Sequence, residues 1–328
     1  MHLVLSVIVA LFLGFLVSRA IENPGGFLET LIAGLLTGVL YSLVALGIVL
    51  IFKASGVFNF AQGAMVLFAA LSIARLSEKM HILLAIALTI AIMVVVAYAI
   101  EYLVLRKLVN QEGIILFMAT IGVTYFLDGI GQTIWGSDIY KINLGLSKDP
   151  MFALESLFPG GILIDRLDVV AGIICFILVA ALFVFFQYTR VGRALRAVAD
   201  DHSAAQSVGI PLNTIWLLVW AVAGFVAMVA GMIWGAKLGV QFSLSLVALK
   251  ALPVLIIGGF TSIPGAIIGG LIIGAGEKLA EVFVGPPLIK AFDLAGGGIE
   301  NWFAYVLALC VLLVRPQGLF GEKIIERI

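Results

Sequence analysis

Charge is what this sequence is short of. Of its 328 residues only 12% are Asp, Glu, Lys or Arg, while 63% are hydrophobic; a soluble domain carries about twice that share of charge. The 19 bases balance the 19 acids, so net charge is zero. The basic footprint that a nucleic-acid partner requires is therefore missing. Cysteine is scarce too: Cys175 and Cys310 each lie inside an apolar run. There they read as small hydrophobes, neither a disulfide nor a metal pair. The three histidines, His2, His81 and His202, lack metal-ligand spacing. No G-x-x-x-x-G-K-[ST], H-E-x-x-H or G-x-S-x-G occurs, which removes the recognisable sites for ATP hydrolysis, zinc proteolysis and serine hydrolysis. No cofactor is expected, and no residue constellation supports an enzyme.

What is present is apolar length. Runs fall near 1–18, 27–52, 57–75, 81–105, 114–135, 169–188, 213–236, 243–260, 264–284 and 298–314. Several reach the roughly 18 residues that a bilayer crossing needs, and the shorter ones read as broken or re-entrant. The first run lacks the basic start of a signal peptide and reads as a retained span. Basic residues flanking spans stay in the cytoplasm. Arg190, Arg193 and Arg196, then Arg106 and Lys107, then Arg315, Lys323 and Arg327 mark that side, and the acid-rich connection 136–168 marks the other. About ten crossings with both termini inside satisfy every loop. The expected fold is all-α and polytopic, in the lipid bilayer, as a single transmembrane domain over 1–328.

The stretch "KASGVF" at 53–58 is echoed by "AKLGVQF" at 236–242, pairing Gly56-Val57 with Gly239-Val240. Each echo follows a long run and precedes a shorter one, five crossings apart. An odd separation inverts the second copy, so two inverted five-helix halves, 1–168 and 169–328, are expected, a recurrent transporter design. Polar backbone at membrane depth is tolerated where it lines a watery cavity or is buried in protein. Asn59 and Gln62 supply amide groups at the first break, and Gln241, Ser243 and Ser245 hold the comparable place in the second. The competing reading of 53–63 is a cytoplasmic turn with Asn59 as a helix cap.

Asp128 lies well inside a span and Lys250 in the middle of another, each costly unless paired or hydrated. Either lines a path, or the two satisfy each other. Glu101, Glu277 and Lys278 sit nearer span ends, where snorkelling makes charge cheap. The loop "TRVGRALRAVADDHSAAQSVGIP", 189–211, predicts a short helix capped by Asp200 or Asp201 and stopped by Gly209 and Pro211. Ala204, Ala205 and Val208 would give it a small apolar face. Such a helix on the basic side calls for a docking partner; the plainer reading is a surface turn. Pro264 predicts a break before a helix whose Gly265, Gly269 and Gly270 permit close packing.

Four blocks in order, "GLLTGVLYSLVALGIVLIFKASGVFNFAQGAM", the 189–210 loop, "LKALPVLIIGGFTSIPGAIIGGLIIGAGE" and "RPQGLFG", resemble the permease subunits of branched-chain amino acid ABC importers, over about residues 30–321. The resemblance implies a second related permease, two cytoplasmic ATPase subunits that bind the ATP, a periplasmic binding protein that delivers cargo, and a place in the bacterial inner membrane. It makes 189–211 the loop that seats on an ATPase, with Arg193, Asp201, Ala204, Ala205 and Gly209 in the coupling element. Asn59, Gln62, Asp128, Gln241, Ser243 and Lys250 are the expected path residues. The chain departs from the family's pattern at Gln62, often His, and at Ala64, often acidic, which leaves open whether the cargo is a branched-chain amino acid or another small amino acid or amide. The rival class is an ion-coupled secondary transporter working without ATPases, with Asp128 as its coupled carboxylate.

Overall fold

The structure, a computed structural model, describes residues 14–108, 111–146, 149–153, 155, 158, 161–200, 202–293 and 298–321. Most of the first apolar run, Asp201, Lys323 and Arg327 lie outside the described residues.

The long apolar runs become helices because hydrocarbon leaves the backbone no other way to satisfy its N–H and C=O groups. In chain order these are α1 (residues 14–22), α2 (Pro24–Ser55), α3 (Gln62–Ser77), α4 (Ile82–Ala99), α5 (Gly113–Trp135), α6 (Arg166–Tyr188), α7 (Arg190–Asp200), α8 (His202–Ser207), α9 (Leu212–Leu238), α10 (Val247–Gly258), α11 (Ile263–Leu279), α12 (Gly285–Phe292) and α13 (Ile299–Val314). Short π-helices at Ile100–Val104 and Ala280–Val284 prolong α4 and α11. One antiparallel hairpin, β1 (Pro150–Ala153) with β2 (Ile162–Asp165), pairs Pro150 with Asp165 and Ala153 with Ile162.

Among the described residues five helices are long and apolar enough to cross a membrane: Pro24–Ser55, Ile82–Leu108, Gly113–Trp135, Arg166–Tyr188 and Leu212–Leu238. A sixth is reached if Phe242–Gly258 and Ile263–Phe292, bent by 114° at their break, count as one. The 57–75 and 298–314 runs form the shorter apolar helices α3 and α13. The protein is a multi-pass, mostly helical membrane protein. Burial sorts its spans. In their most apolar windows α2 is 78% buried and α9 67%, whereas the α4 and α5 spans stand at 22% and 17%. Helices so open and so apolar are lipid-facing by composition.

Contacts divide the chain into two units, each drawing on both sequence halves. One holds residues up to 42, 146–174 and from 252 on; the other holds 43–145 and 175–251. In the first, α2 crosses α11 at the closest range two backbones allow. A Cβ on Gly38 would lie 2.3 Å from the Gly270 carbonyl, and one on Gly274 2.4 Å from Gly38 Cα. Small residues four apart on both helices make that approach possible, and dispersion rewards it in lipid. The Ser42 hydroxyl adds an interhelical bond to the Ile267 carbonyl, 3.3 Å. In the same unit "RPQGLFG" turns back on the end of α10: Leu319 N–H donates to Ile257 O (2.7 Å) and Phe320 N–H to Gly258 O (3.2 Å). These occupy carbonyls that the end of α10 leaves open. Ser262 caps α11, its hydroxyl accepting from Gly265 N–H at 3.0 Å, with Pro264 in the first turn, as the sequence predicts.

Glu101 and Glu277 correct the snorkelling expectation. Both are buried inside protein, at 0% and 1% exposure. Glu101 is held by Arg106 through two bonds of 3.0 and 2.8 Å. A buried carboxylate is tolerable with such a partner and costly without one.

Candidate functional site

Both breaks named by the sequence echo are built alike at their start. After α2 the chain turns at Gly56 (φ +68°), and after α9 at Gly239 (φ +84°), a conformation that a Cβ disfavours. Val57 and Val240 follow, both buried. A short apolar helix comes next in each case, α3 directly and α10 after a 3-10 turn at Phe242–Leu246. All of this lies within one unit up to Ala251.

The first break is knit by side chains. Asn59 and Gln62 are fully buried. The Asn59 carbonyl oxygen accepts from Ala61 N–H (3.1 Å), and its amide donates to Gln62 Oε1 (3.2 Å). Gln62 Nε2 donates on to the Ala223 carbonyl of α9 (3.3 Å). Gly47 leaves the room this requires, since a Cβ there would sit 2.0 Å from Gln62 Nε2. Thr120 of α5 closes the other side, donating to Phe58 O (3.2 Å) and accepting from Phe60 N–H (3.3 Å). Sequence reading did not single out Thr120 or Gly47; nothing local marks a threonine or glycine as the neighbour of a break so far away in the chain. A helix does begin beside Asn59, at Gln62, and Asn59 binds Ala61 N–H just ahead of it.

The second break is more open. Gln241 and Lys250 are half-buried and Ser243 is exposed. Ser245 donates to the Phe242 carbonyl, 2.9 Å. Asp128 on α5 is half-buried, and its Oδ1, shielded from solvent, makes no hydrogen bond. The pairing of Asp128 with Lys250, weighed from sequence, is not made among the described residues.

The basic loop holds two helices where the sequence suggested one. Asp200 ends α7 rather than capping a helix start, because the apolar positions Gly192, Leu195 and Val198 continue one buried helical face through it. Arg193 is exposed. Arg196 folds back onto α6, donating to the Phe186 and Gln187 carbonyls. The stop at Gly209 is as expected. Gly209 has φ +84°, its N–H meets Gln206 O (3.0 Å), and Ile210 N–H meets Ala205 O (3.0 Å), the paired bonds of a Schellman end. The expected three-residue face is split. Ala205 is turned inward, at 3% exposure, because it lies on the side of α8 that packs back on the chain. Ala204 is exposed, and Val208 is exposed to 75%.

Comparison with known proteins agrees with this architecture. The chain is 28% identical over 314 residues to the high-affinity branched-chain amino acid transport system permease protein BraD of Pseudomonas aeruginosa, covering 92% of this chain and 98% of that one. It is 29% identical over 325 residues to the LivH permease protein of Escherichia coli K12, with the same coverage of 92% and 98%. A probable branched-chain amino acid transport permease protein of Methanocaldococcus jannaschii is 27% identical over 289 residues, 85% of this chain and 88% of that one. Residues 30–315 match the family described as branched-chain amino acid transport system, permease component, and the chain belongs to that family of transport permeases, which are not enzymes.

Proposed function

We propose that this chain is the membrane-spanning permease subunit of an ATP-driven ABC importer in a bacterial inner membrane. Its cargo is a branched-chain or other small amino acid or amide, delivered by a periplasmic binding protein. A second related permease completes the path and two cytoplasmic ATPase subunits drive it. About ten crossings in two inverted halves, counting α1, α3, α10, α11 and α13 with the longer spans, carry the mechanism. The two breaks and Asp128 line the path, with Asn59 and Gln62 on the first break and Gln241, Ser243 and Lys250 on the second. Since the Asn59 and Gln62 amides are bound to one another and to Ala223, cargo reaches them when that network opens.

One observation carries the ATP-driven reading. On the basic side the chain ends a short helix with a complete Schellman turn and leaves Val208 three-quarters exposed beside Ala204. A rigidly ended apolar knob outside the membrane suits an ATPase groove, and Arg193, Asp201, Ala204, Ala205 and Gly209 belong to that coupling element. ATP helps only if the partner binds the permease's two states with different affinity. Val208→Asp, Ala204→Glu and Gly209→Ala are therefore expected to lower uptake at least tenfold in cells with the whole transporter, while the chain still reaches the membrane and the ATPases still hydrolyse ATP. Undiminished uptake in all three would remove the coupling role.

The ion-coupled alternative draws on one feature, the unbonded Oδ1 of Asp128. Purified chain in liposomes decides between the two: accumulation of leucine under a proton or sodium gradient, without any ATPase, and its loss in Asp128→Asn, favours the alternative.

A further inference from the structure

The connection leaving α5 begins at Gly136 (φ +90°) and reaches a second left-handed glycine at Gly145 (φ +70°). Between these pivots Tyr140 forms a single antiparallel bridge with Val240, the residue after the Gly239 turn. Tyr140 N–H donates to Val240 O (3.0 Å), and Val240 N–H donates to Tyr140 O (2.7 Å). The Tyr140 ring is anchored twice more. Its hydroxyl donates to the Trp135 carbonyl at the end of α5 (2.9 Å), and the Arg75 guanidinium carbon lies 4.9 Å from its centroid. Arg75 is in the last turn of α3. Ile142 is buried, with its Cδ1 beside Gly235 of α9. One tyrosine thus ties together the far ends of α3 and α5 and the start of the second break, on the acid-rich side that the charge pattern places outside.

We infer that the Tyr140–Val240 bridge is the outer latch of the transport path, closed in this structure and released when the permease opens outward. The inference rests on the permease reading above. Three features fit a joint that opens. It is one bridge, with no further ladder of bonds to break. Glycines with positive φ stand at both ends of the strap and at the break itself. Arg75 also pairs with Glu78 at 2.5 Å, so its charge keeps a partner when the ring swings away. Gln241 and Ser243, the expected path residues, follow the bridge directly, so releasing it frees the segment that carries them. The first break has no such strap; side-chain amides hold it from inside.

The test locks the bridge. Two residues that exchange both backbone bonds across an antiparallel pair have Cα atoms about 5.5 Å apart, within the roughly 4.4–6.8 Å span of a disulfide. Tyr140→Cys with Val240→Cys is made in the full chain, in cells that express the whole transporter. Each single variant serves as a control for links to Cys175 or Cys310. Uptake of radiolabelled leucine, isoleucine and valine is measured against cells lacking the chain. The latch predicts a cross-link on oxidation, an at least tenfold fall in uptake, and recovery with reductant. A complete cross-link with unchanged uptake overturns it, and so does a pair that fails to link. A second measurement needs no cargo: in membrane vesicles trapped with ATP and vanadate, cross-linking is expected to slow at least fivefold relative to vesicles without nucleotide. An unchanged rate overturns the latch while leaving the permease reading intact. An unmodified chain that supports no uptake of any of the three overturns the branched-chain cargo instead, and the cargo-free cross-linking rate then decides the latch.

Discussion

The two breaks begin with the same Gly-Val turn and end in different hands. At the first, Asn59, Gln62 and Thr120 spend their polar groups on the break itself and on α9, and no solvent reaches the two amides. At the second, the turn is pinned by backbone to a loop, while Gln241 and Ser243 stay accessible. A buried, fully bonded amide network is costly to disturb, because each group it releases is left unpaired in a low-dielectric surrounding. A single backbone bridge with no ladder of bonds behind it has less to break when it opens. The first break is the costlier of the two to open, the second the cheaper.

Substitutions sharpen that contrast, and unfolding in mixed detergent micelles measures it. The largest effect is expected from Gly47→Val, whose Cβ would displace Gln62 Nε2 and overpack the α2 face. Collision and lost bond together cost about 3 kcal/mol or more. Gln62→Leu follows at about 2 kcal/mol, since it strands the Asn59 amide in a dry site. Gly239→Ala is expected to cost about 1–3 kcal/mol, because its backbone, with ψ near 159°, lies where side chains are hardly tolerated. Gly56→Ala costs about 1–2 kcal/mol. The smallest change is Gln241→Leu, within about 0.5 kcal/mol, as its amide serves no network holding the fold. Equal losses for Gln62→Leu and Gln241→Leu would erase the distinction between the breaks.

The echo at Gly56 and Gly239 was readable because a left-handed turn has few residues to choose from, and the Gly209-Pro211 stop was readable for the same reason. Apolar runs announced the helices, and π-helices at 100–104 and 280–284 follow the two breaks at similar removes. Sequence gave no warning of partners that are distant in the chain. Tyr140 sits in a loop without periodicity, Thr120 looks like any threonine in a span, and the inward turn of Ala205 depends on what packs beneath α8. Glu101 was misjudged because distance along a helix to its end says nothing of what covers it. Its Arg106 partner lies five residues on, across a π-turn that helical spacing does not anticipate. The long connection was assigned to one side by its acids, yet its attachment at Tyr140 is made by backbone and an aromatic ring.

The return of residues 319 and 320 to the end of α10 bears on the order of assembly. The carbonyls of Ile257 and Gly258 emerge from the ribosome long before the donors that occupy them. In hydrocarbon an unoccupied carbonyl is expensive, so the bent pair is expected to linger near the lipid headgroups or under a chaperone's cover while the following helices are made. Its final seating is a late event in biogenesis, and a chain cut before Leu319 would reach the bilayer with that hairpin unfinished.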